Sequence, residues 1–405
     1  MPKMKPTEKT KKNSSKVSSR LSLGERVPKL RFPGFEGEWE WMPVSDLLTS
    51  MNDKPYQVRA SEYHDYGLYD VVDQGKNDIV ARSNLKSKLF TSVPIIVFGD
   101  HTTISKYRDT PFIVGGDGVK LLKSNNNTNN LKYLYYAILK YGPKAEGYKR
   151  HFSILKEKRL PIPVNGEQHK ISTFLSLLDC RIAAMRKLVE LLKKHKGGVI
   201  EQIFRRHLGL GKNSEKWDVV ELRDLFSKVV RRNKDGRVKN VITNSAEFGL
   251  IPQRDFFDKS IAVEGNTDGY YIIHTGDFVY NPRKSTSAPF GPFNRYTGTE
   301  DGIISPLYTC LVPNEKAYPE YLAWYFRSTA WHRYVYDNGS QGARHDRVNM
   351  TDDLLFGIPV LLPPIAVQEK IAKCLNAIDA RWSSANKALA YLEDMKRGLL
   401  QQLFV

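Results

Sequence analysis

Cysteines and long apolar runs are scarce in this chain of 405 residues. The three cysteines, Cys180, Cys310 and Cys374, have no paired spacing, so we expect reduced, structural thiols rather than a disulfide framework. No run of about 18 apolar residues and no signal-peptide core occurs, which predicts a soluble, cytoplasmic protein that does not contact a membrane. These absences argue against a secreted disulfide scaffold and against a membrane protein.

Catalytic motifs are also missing. An amino-methyltransferase needs an Asn/Asp-Pro-Pro-aromatic loop, which Asn281-Pro282-Arg283 does not provide. No Pro-Asp pair begins a nuclease site, and the segment 115–120 lacks the spacing of a phosphate-binding loop. The nine histidines and three cysteines form no metal-ligand cluster. We therefore expect no catalytic residue, no metal and no cofactor on this chain, and a role in binding and assembly.

Positive charge is in excess. Lys and Arg number 62 against 44 Asp and Glu, which gives a net charge of +18, and aromatic residues make up 11% of the chain. Such a balance is typical of proteins with a polyanionic partner such as nucleic acid. Residues 1–27 hold eight Lys or Arg against two Glu without an apolar stretch, which predicts a disordered basic tail.

The chain contains an internal repeat, because residues 160–204 align without a gap on residues 360–404. Chance would give two or three identities, whereas thirteen of the 45 aligned positions are identical. These positions are Pro163/Pro363, Gln168/Gln368, Lys170/Lys370, Ile171/Ile371, Leu175/Leu375, Asp179/Asp379, Arg181/Arg381, Lys187/Lys387, Leu192/Leu392, Lys196/Lys396, Gly198/Gly398, Gln202/Gln402 and Phe204/Phe404.

Each copy of the repeat keeps a heptad rhythm of apolar residues, which predicts a helix of about 35 residues. We expect the two helices to pair antiparallel; the alternative is two separate amphipathic helices, each packed on its own neighbour. Lys196 and Lys396 occupy the same seam position, where they either set the register or extend towards solvent. Gly197 and Gly198 should loosen the end of the first helix. The main seam residues are Ile171, Leu175, Leu178, Ile182, Leu192, Ile371, Leu375, Ile378, Trp382 and Leu392.

The repeat extends beyond these helices, since the segment 39–48 resembles 217–226 and the segment 132–136 resembles 320–324. Short β-like runs followed by a helix, at 131–141 and again at about 319–335, predict a mixed globule twice. The predicted fold class is α+β: two mixed α/β domains in a pseudo-two-fold arrangement, separated by a pair of long antiparallel coiled-coil helices. The predicted boundaries are a tail at 1–27, a first domain at 28–160, a first long helix at 161–207, a second domain at 208–360 and a second long helix at 361–405.

Basic and amide-bearing loops occur in both predicted domains. Lys and Arg neutralise phosphate, Arg forms paired hydrogen bonds with guanine, and Asn or Gln with adenine. Any single loop is more often an ordinary solvated surface, and only the collective pattern favours DNA. The candidate DNA contacts are Arg82, Lys86, His101, Thr102, Lys106, Arg108 and Arg150 in the first domain, and Arg231, Arg232, Arg283, Lys284, Ser285, Thr286, Arg295, Gln341, Arg344 and His345 in the second.

Two stretches carry a family resemblance. The segments 160–179 and 358–379, each with a Pro-rich exit followed by Gln, Lys-Ile and Asp at fixed spacing, resemble the signature of type I restriction–modification specificity (S) subunits. Pro33-Gly34-Phe35 and Trp39 near the start resemble it as well, so the likeness covers about residues 28–405. The first copy departs slightly, with Asn165-Gly166 where the second has Ile365-Ala366.

The resemblance implies that each variable domain is a target-recognition domain for one half of an interrupted, asymmetric site in double-stranded DNA. The paired helices would fix the gap between the half-sites. Two modification (methyltransferase) subunits would methylate adenine N6, and two restriction subunits would add ATP-dependent translocation and cleavage. S-adenosylmethionine, ATP and Mg are then expected on those partner subunits. Two competing hypotheses are a self-contained modification enzyme and a scaffold that binds nucleic acid without sequence preference.

Overall fold

The computed structural model describes residues 26–126, 128–147, 149–206, 217–255, 267–340 and 346–405. Of the basic tail predicted at 1–27, all but the last two residues lie outside these ranges. The chain divides into two compact units. Unit 1 comprises the residues up to Ala184 together with Leu389–Val405, and unit 2 comprises Met185–Ala388. No helix within the described ranges is long and apolar enough to cross a membrane.

Unit 1 is built on a four-stranded antiparallel sheet in the order β2-β10-β7-β8. A second sheet, β3-β9-β4-β5 with β6 also paired to β9, mixes parallel and antiparallel strands. The elements are β1 (Glu40–Pro43), α1 (Val44–Leu47), β2 (Leu48–Met51), β3 (Gln57–Val58), β4 (Tyr69–Val72), β5 (Ala81–Ser83), β6 (Leu89–Phe90), β7 (Ile95–Gly99), β8 (Ser105–Arg108), β9 (Phe112–Gly115), β10 (Val119–Ser124), α2 (Leu131–Tyr141), α3 (Phe152–Glu157), β11 (Arg159–Ile162) and the long helix α4 (Asn165–Arg206).

Unit 2 has a four-stranded sheet in the order β13-β20-β17-β18, and two further strand pairs, β14-β15 and β16-β19. Its elements are β12 (Asp218–Glu221), α5 (Leu222–Leu225), β13 (Phe226–Lys228), β14 (Ile242–Ser245), β15 (Gly249–Pro252), β16 (Tyr271–Ile273), β17 (Phe278–Tyr280), β18 (Phe293–Arg295), β19 (Gly302–Ile304), β20 (Thr309–Pro313), α6 (Pro319–Tyr325), α7 (His332–Asn338), α8 (Asp352–Phe356), β21 (Pro359–Leu362) and the long helix α9 (Ile365–Gln402).

The two units share one framework. In unit 1, β1 pairs with β11, and in unit 2, β12 pairs with β21 in the same way. A single helical turn then leads into β2 or β13, the first strand of each four-stranded sheet, which explains the resemblance between residues 39–48 and 217–226. The additional strands differ, because unit 1 carries a five-stranded sheet and unit 2 carries two strand pairs. The predicted mixed α+β fold, repeated once, is confirmed.

A buried glutamine anchors the start of each long helix. Gln168 accepts a hydrogen bond from the backbone N–H of Asn130 (2.9 Å), and Gln368 does so from Tyr318 (2.8 Å). Each amide also donates to the carbonyl of the proline five residues earlier, at 2.9 and 2.7 Å. Since a buried amide without partners would be costly, these bonds account for the identity of both Gln and Pro in the repeat.

The last turns of each long helix pack within the unit that contains the start of the other long helix. In unit 1, the Phe404 ring lies 6.3 Å from Trp39 and 5.3 Å from Tyr133, measured between ring centroids. In unit 2, the Phe204 ring lies 5.5 Å from Tyr321. Both phenylalanines are buried. Each unit therefore contains the first part of one long helix and the last part of the other.

The seam between the long helices contains an ion pair in each unit. Lys196 Nζ lies 2.7 Å from Asp379 Oδ1 in unit 2, and Lys396 Nζ lies 2.5 Å from Asp179 Oδ1 in unit 1. The ammonium of Lys196 also lies 4.2 Å from the centre of the Trp382 ring. These pairs confirm antiparallel pairing and favour the register-setting role of the lysines. Of the predicted seam residues, Ile378 and Trp382 are half-buried and the others are buried.

Two details of the sequence-based prediction are wrong. Helix α4 runs through Gly197 and Gly198 without a break; its 42 residues exceed the roughly 35 of the heptad pattern but stay within the predicted range 161–207. Buried Phe204 and the hydrogen bonds from Thr329 to Glu201 (3.1 and 2.7 Å) hold this end in unit 2. These contacts offset the cost of about 1 kcal/mol for each helical glycine. Gly209 and Gly211 lie outside the described residues.

The other detail concerns the helix predicted at about 319–335. The structure has two helices there, α6 and α7, separated by a turn in which the Trp331 indole donates to the Phe326 carbonyl (3.2 Å). Trp331 is buried in the aromatic core of unit 2. The apolar periodicity continued across this turn because both flanking helices face that core, so periodicity alone did not reveal the break.

We expect the seam ion pair of unit 2 to be energetically coupled. Lys196→Asp or Asp379→Lys alone should lower the free energy of unfolding by about 1–2 kcal/mol, because each places like charges in a partly buried seam. The double variant should recover most of that loss, as measured by a denaturant double-mutant cycle. Lys194→Ala removes an exposed pair with Glu190 on the same helix and should change stability by less than about 0.5 kcal/mol. Additive losses in the double variant would show that the seam pair does not act as a pair.

Candidate nucleic-acid interface

Two candidate DNA contacts of unit 1 lie inside the fold. Lys106 is 6% exposed, and its ammonium donates to the carbonyl oxygens of Asp73 (2.8 Å) and Asn77 (2.5 Å). Burial lowers the pKa of Lys106, and the nearby Asp73 carboxylate offsets part of this effect. Arg108, also buried, pairs with Asp70 at 2.9 Å.

These contacts assign Lys106 and Arg108 a structural role. Both belong to β8 of the four-stranded sheet, and their partners belong to β4 or to the loop that follows it, so the two cations join the two sheets of unit 1. Arg108 also reaches Asp78 at 3.1 Å. Lys106 and Arg108 are therefore not available as the DNA contacts that their charge predicted. The fold buries both side chains and pairs them with carboxylates.

The turn between β7 and β8 has a structural role as well. Thr102 Oγ1 donates to the carbonyl of Gln74 (2.6 Å) and accepts from the backbone N–H of Ile104 (3.3 Å).

Arg82 pairs with Asp70 at 3.2 Å but keeps part of its side chain exposed, and Lys86 is exposed. Arg82 and Lys86 therefore remain accessible to a polyanion, whereas the Thr102 hydroxyl is already engaged.

A cleft of about 710 Å³ in unit 1 brings together His101 and Arg150 with Lys54 and Lys120, two cations that the sequence did not single out. The Asp100 carboxylate accepts the backbone N–H of Phe152 (2.8 Å), which ties the segment that carries Arg150 to the end of β7. The cleft can offer Lys and Arg to phosphate, and amide or imidazole groups to base edges. Its lining residues are Asp53, Lys54, Gln57, Asp100, His101, Asp117, Gly118, Lys120, Lys149 and Arg150.

Three arginines of unit 2 are held by neighbours within the unit. Arg231 donates to Asp277; burial raises the pKa of that carboxyl group, an effect opposed by the His274 N–H and Arg231. The guanidinium of Arg232 lies 4.2 Å from the centre of the Tyr271 ring, and that of Arg295 lies 2.7 Å from Glu320. Arg232 remains exposed, while Arg231 and Arg295 are half-buried.

The loop 281–291 presents the other candidates of unit 2. Arg283 and Arg347 form an antiparallel backbone bridge, next to which the Lys284 N–H donates to the Asp346 carbonyl (2.8 Å). Ser285 Oγ accepts the backbone N–H of Ala288 (3.1 Å) and so closes a turn. The side chains of Arg283, Ser285 and Thr286 are exposed, and that of Lys284 is half-buried. Gln341, Arg344 and His345 lie outside the described residues.

A cavity of about 370 Å³ adjoins this loop. Arg347 and Asn349 line it, and neither was identified from the sequence. Arg347 and Asn349 lie in a stretch of sequence that has neither helical nor strand periodicity. The backbone pairing of residues 282–284 with 346–348 places them beside the loop 281–291. Unit 2 therefore combines two arginines, an amide and apolar walls at one place on its surface.

The described part of the chain has no cluster of metal-ligand side chains, and one of its three cysteines, Cys310, is buried. Within those residues, no group of three His, Cys, Asp or Glu side chains could hold a metal ion. Burial raises the pKa of the Cys310 thiol to about 12, so this cysteine is protonated near neutral pH and is a poor nucleophile.

Comparison with known proteins agrees with the family resemblance that the sequence carries. Residues 36–194 match the family described as Type I restriction modification DNA specificity domain. The protein assigned as the MjaX specificity subunit of a type I restriction enzyme in Methanocaldococcus jannaschii is 25% identical over 336 residues, or 74% of this chain and 73% of the relative. The EcoR124I/EcoR124II specificity subunit of Escherichia coli is 31% identical over 139 residues, or 33% of this chain and 34% of the relative.

The fold is also similar to solved structures. The crystal structure of a type I restriction–modification S subunit from M. genitalium matches with a TM-score of 0.59 and 17% identity, covering 94% of this chain and 99% of that chain. This likeness shows that the two proteins share a fold. Residues 36–194 therefore match this DNA specificity domain, and the chain as a whole is similar to specificity subunits of type I restriction enzymes, a generally non-catalytic family.

The contrast between buried and exposed cations can be tested within unit 1. Lys106→Met should lower the free energy of unfolding by about 2–3 kcal/mol, because it leaves a carboxylate and two carbonyl groups without their cation. The affinity of the folded protein for DNA should stay unchanged. Arg150→Ala should leave stability within about 0.5 kcal/mol but weaken DNA binding. Thermal unfolding and titration of a labelled duplex measure both; the reverse pattern would contradict the assignment.

Proposed function

We propose that this chain selects an interrupted, asymmetric site in double-stranded DNA, with each unit reading one half of the site. The observation that carries the proposal is the repetition of one framework with different loops. The strand order, the buried glutamine and the lysine–aspartate pair recur in both units. The cationic surfaces do not recur, since one has a cleft with Lys, Arg and His and the other has paired arginines beside an amide.

The proposed partners are two methyltransferase subunits, which would methylate adenine N6, and two restriction subunits for ATP-dependent cleavage. A repeated framework supports this proposal because it offers two equivalent docking surfaces to two copies of one partner. A base must leave the duplex before its ring nitrogen or amino group can be modified. Holding a separate catalytic subunit at a fixed place on DNA is therefore a reasonable task for a non-catalytic subunit. S-adenosylmethionine, ATP and Mg would bind those partners.

The first experiment co-expresses the chain with its methyltransferase subunit in a host that lacks adenine methylation. Genome-wide mapping of N6-methyladenine should then reveal one interrupted, asymmetric motif methylated on both strands. The control is the methyltransferase subunit expressed without this chain, which should leave the motif unmethylated. Methylation without a consensus, in cells where the partner is active, would contradict sequence selection.

Replacing residues 28–160 with the corresponding segment of a relative tests whether the units act separately. The exchange keeps the framework contacts of unit 2, so one half-site should change while the other half and the gap are retained. The same methylation map measures this outcome. A change in both halves would contradict the assignment of one half-site to each unit.

The length of the long helices should determine the gap between half-sites. The same number of residues separates Asp179 from Lys196 as separates Asp379 from Lys396. Removing seven residues between these positions in both helices preserves both ion pairs and shortens each helix by about 10 Å. The methylated motif should then lose about three base pairs from its gap. Removing seven residues from α4 alone breaks the pairing and should abolish methylation; an unchanged gap after the matched deletion would contradict this role.

A scaffold without sequence preference is the second candidate, favoured by the net charge of +18. Non-specific binding arises largely from phosphate neutralisation and depends steeply on salt. The two candidates differ in a competition assay at physiological salt. Target duplex should displace a labelled target far better than random duplex does if the chain reads sequence, and equally well if it is a scaffold.

A further inference from the structure

Unit 2 brings two arginines to one carboxylate. The Nε atom of Arg283 lies 3.5 Å from Asp346 Oδ2, and the Nε atom of Arg347 lies 3.9 Å from the same oxygen. Two positive charges facing one negative charge leave an excess of one positive charge. Both contacts use Nε, so the terminal amino groups of the two guanidinium groups make no hydrogen bond with the described residues. This site can therefore accept an anion or a polar base edge.

The backbone around the two arginines is well ordered by hydrogen bonds. Their residues pair as an antiparallel bridge, and the Val348 N–H donates to the Pro282 carbonyl (2.9 Å). The buried Asn281 side chain accepts the Arg283 N–H (3.0 Å). Gly291, with φ of +85°, approaches the Asn281 carbonyl so closely that a Cβ atom would lie 2.0 Å from its oxygen. A site held in this way binds with a smaller loss of conformational entropy.

The environments of the two arginines differ. The Arg347 side chain is 30% exposed and lines the 370 Å³ cavity, together with polar Asn349 and Thr309 and apolar Leu307 and Met350. The cavity wall also includes Asp352, whose carboxylate is paired with Lys228. A planar base edge has a similar mixture of apolar surface and hydrogen-bonding groups. The guanidinium fork matches the O6 and N7 acceptors of guanine, which is the commonest specific contact of arginine with DNA.

Arg283 has a different environment, because its side chain is 67% exposed and it does not line the cavity. It begins a row of donors that continues with Lys284, Ser285 and Thr286 on the same ordered loop. Such rows of cationic and hydroxyl groups are typical of contacts with the DNA backbone, which fix register without reading sequence.

We propose that Arg347 reads a guanine in the half-site bound by unit 2, that Arg283 contacts a backbone phosphate, and that Asp346 positions both guanidinium groups. The inference rests on the proposed function, in which unit 2 binds one half-site. It divides the roles of two neighbouring arginines, so the two substitutions must have different effects.

The test uses the full chain with its methyltransferase subunit and compares Arg347→Ala, Arg347→Lys and Arg283→Ala. Methylation mapping on Arg347→Ala should show one G·C position of the motif becoming degenerate. Affinity for the target duplex should fall about ten- to a hundredfold, with little change for random duplex. Arg347→Lys keeps the charge but lacks the fork, so it should relax the same position. Arg283→Ala should weaken target and random duplex alike and reduce the slope of log affinity against log salt by about one.

Two further variants control for indirect effects. Arg333→Ala removes an exposed arginine of the same unit that pairs with Asp337 and should leave both the motif and the affinity unchanged. Asp346→Asn removes the shared carboxylate; affinity for random duplex should rise while discrimination at the guanine position falls. This combination is expected of a positioning residue and not of a general structural defect, which would lower binding to every duplex.

The outcomes separate this inference from the proposed function. If the unsubstituted chain directs methylation to one motif and Arg347→Ala and Arg347→Lys leave that motif unchanged, the base-reading role is overturned while the proposed function stands. If Arg283→Ala and Arg347→Ala give the same uniform loss, both are phosphate contacts and the division of roles is overturned. If the unsubstituted chain directs methylation to no motif, the proposed function fails, and this inference fails with it.

Discussion

The pairing of a lysine with an aspartate across the two long helices is the constraint on which the rest of the structure depends. Each unit needs the first part of one helix and the last part of the other, so the helices must meet in a defined register. Apolar seam residues alone leave register open, because a shift of one heptad restores similar contacts. A shift would separate Lys196 from Asp379 and leave both charges partly buried without a partner, which is costly. Polar residues in the seam thus supply the specificity that apolar packing lacks.

The repeated identities then have a common physical reason. Gln168, Phe204 and their counterparts occupy buried positions with defined partners, where a substitution would leave a buried amide unsatisfied or a cavity in an aromatic cluster. The loops carry no such requirement, since their backbone hydrogen bonds can be satisfied by turns or by water. A chain built in this way can change what its surfaces bind while retaining its framework.

Sequence reasoning succeeded where the signal was local or periodic. Helix α2 has the predicted bounds because Asn130 caps its start by accepting the Tyr133 N–H (2.9 Å) and Gly142 ends it. The heptad seam was likewise visible as a period. The candidate site was harder to predict, because whether Lys106 faces DNA or a carboxylate depends on which strand folds beside it. Arg347 acquires its surroundings only when residues distant in sequence form a backbone bridge with Arg283.

The ratio of cations to carboxylates, more than the number of cations, separates the structural arginines of this fold from those proposed to bind DNA. Arg108 faces two carboxylates, Asp70 and Asp78, and is buried between them, so its charge is compensated inside the unit. Arg283 and Arg347 share one carboxylate and keep an uncompensated charge at the surface. An excess charge at a surface is favourable only if water, salt or a polyanion balances it. Cations that neutralise DNA phosphates release the condensed counterions of the DNA into solution, which strengthens association. The arginines that lack a full set of internal partners are therefore the ones suited to the proposed DNA contacts.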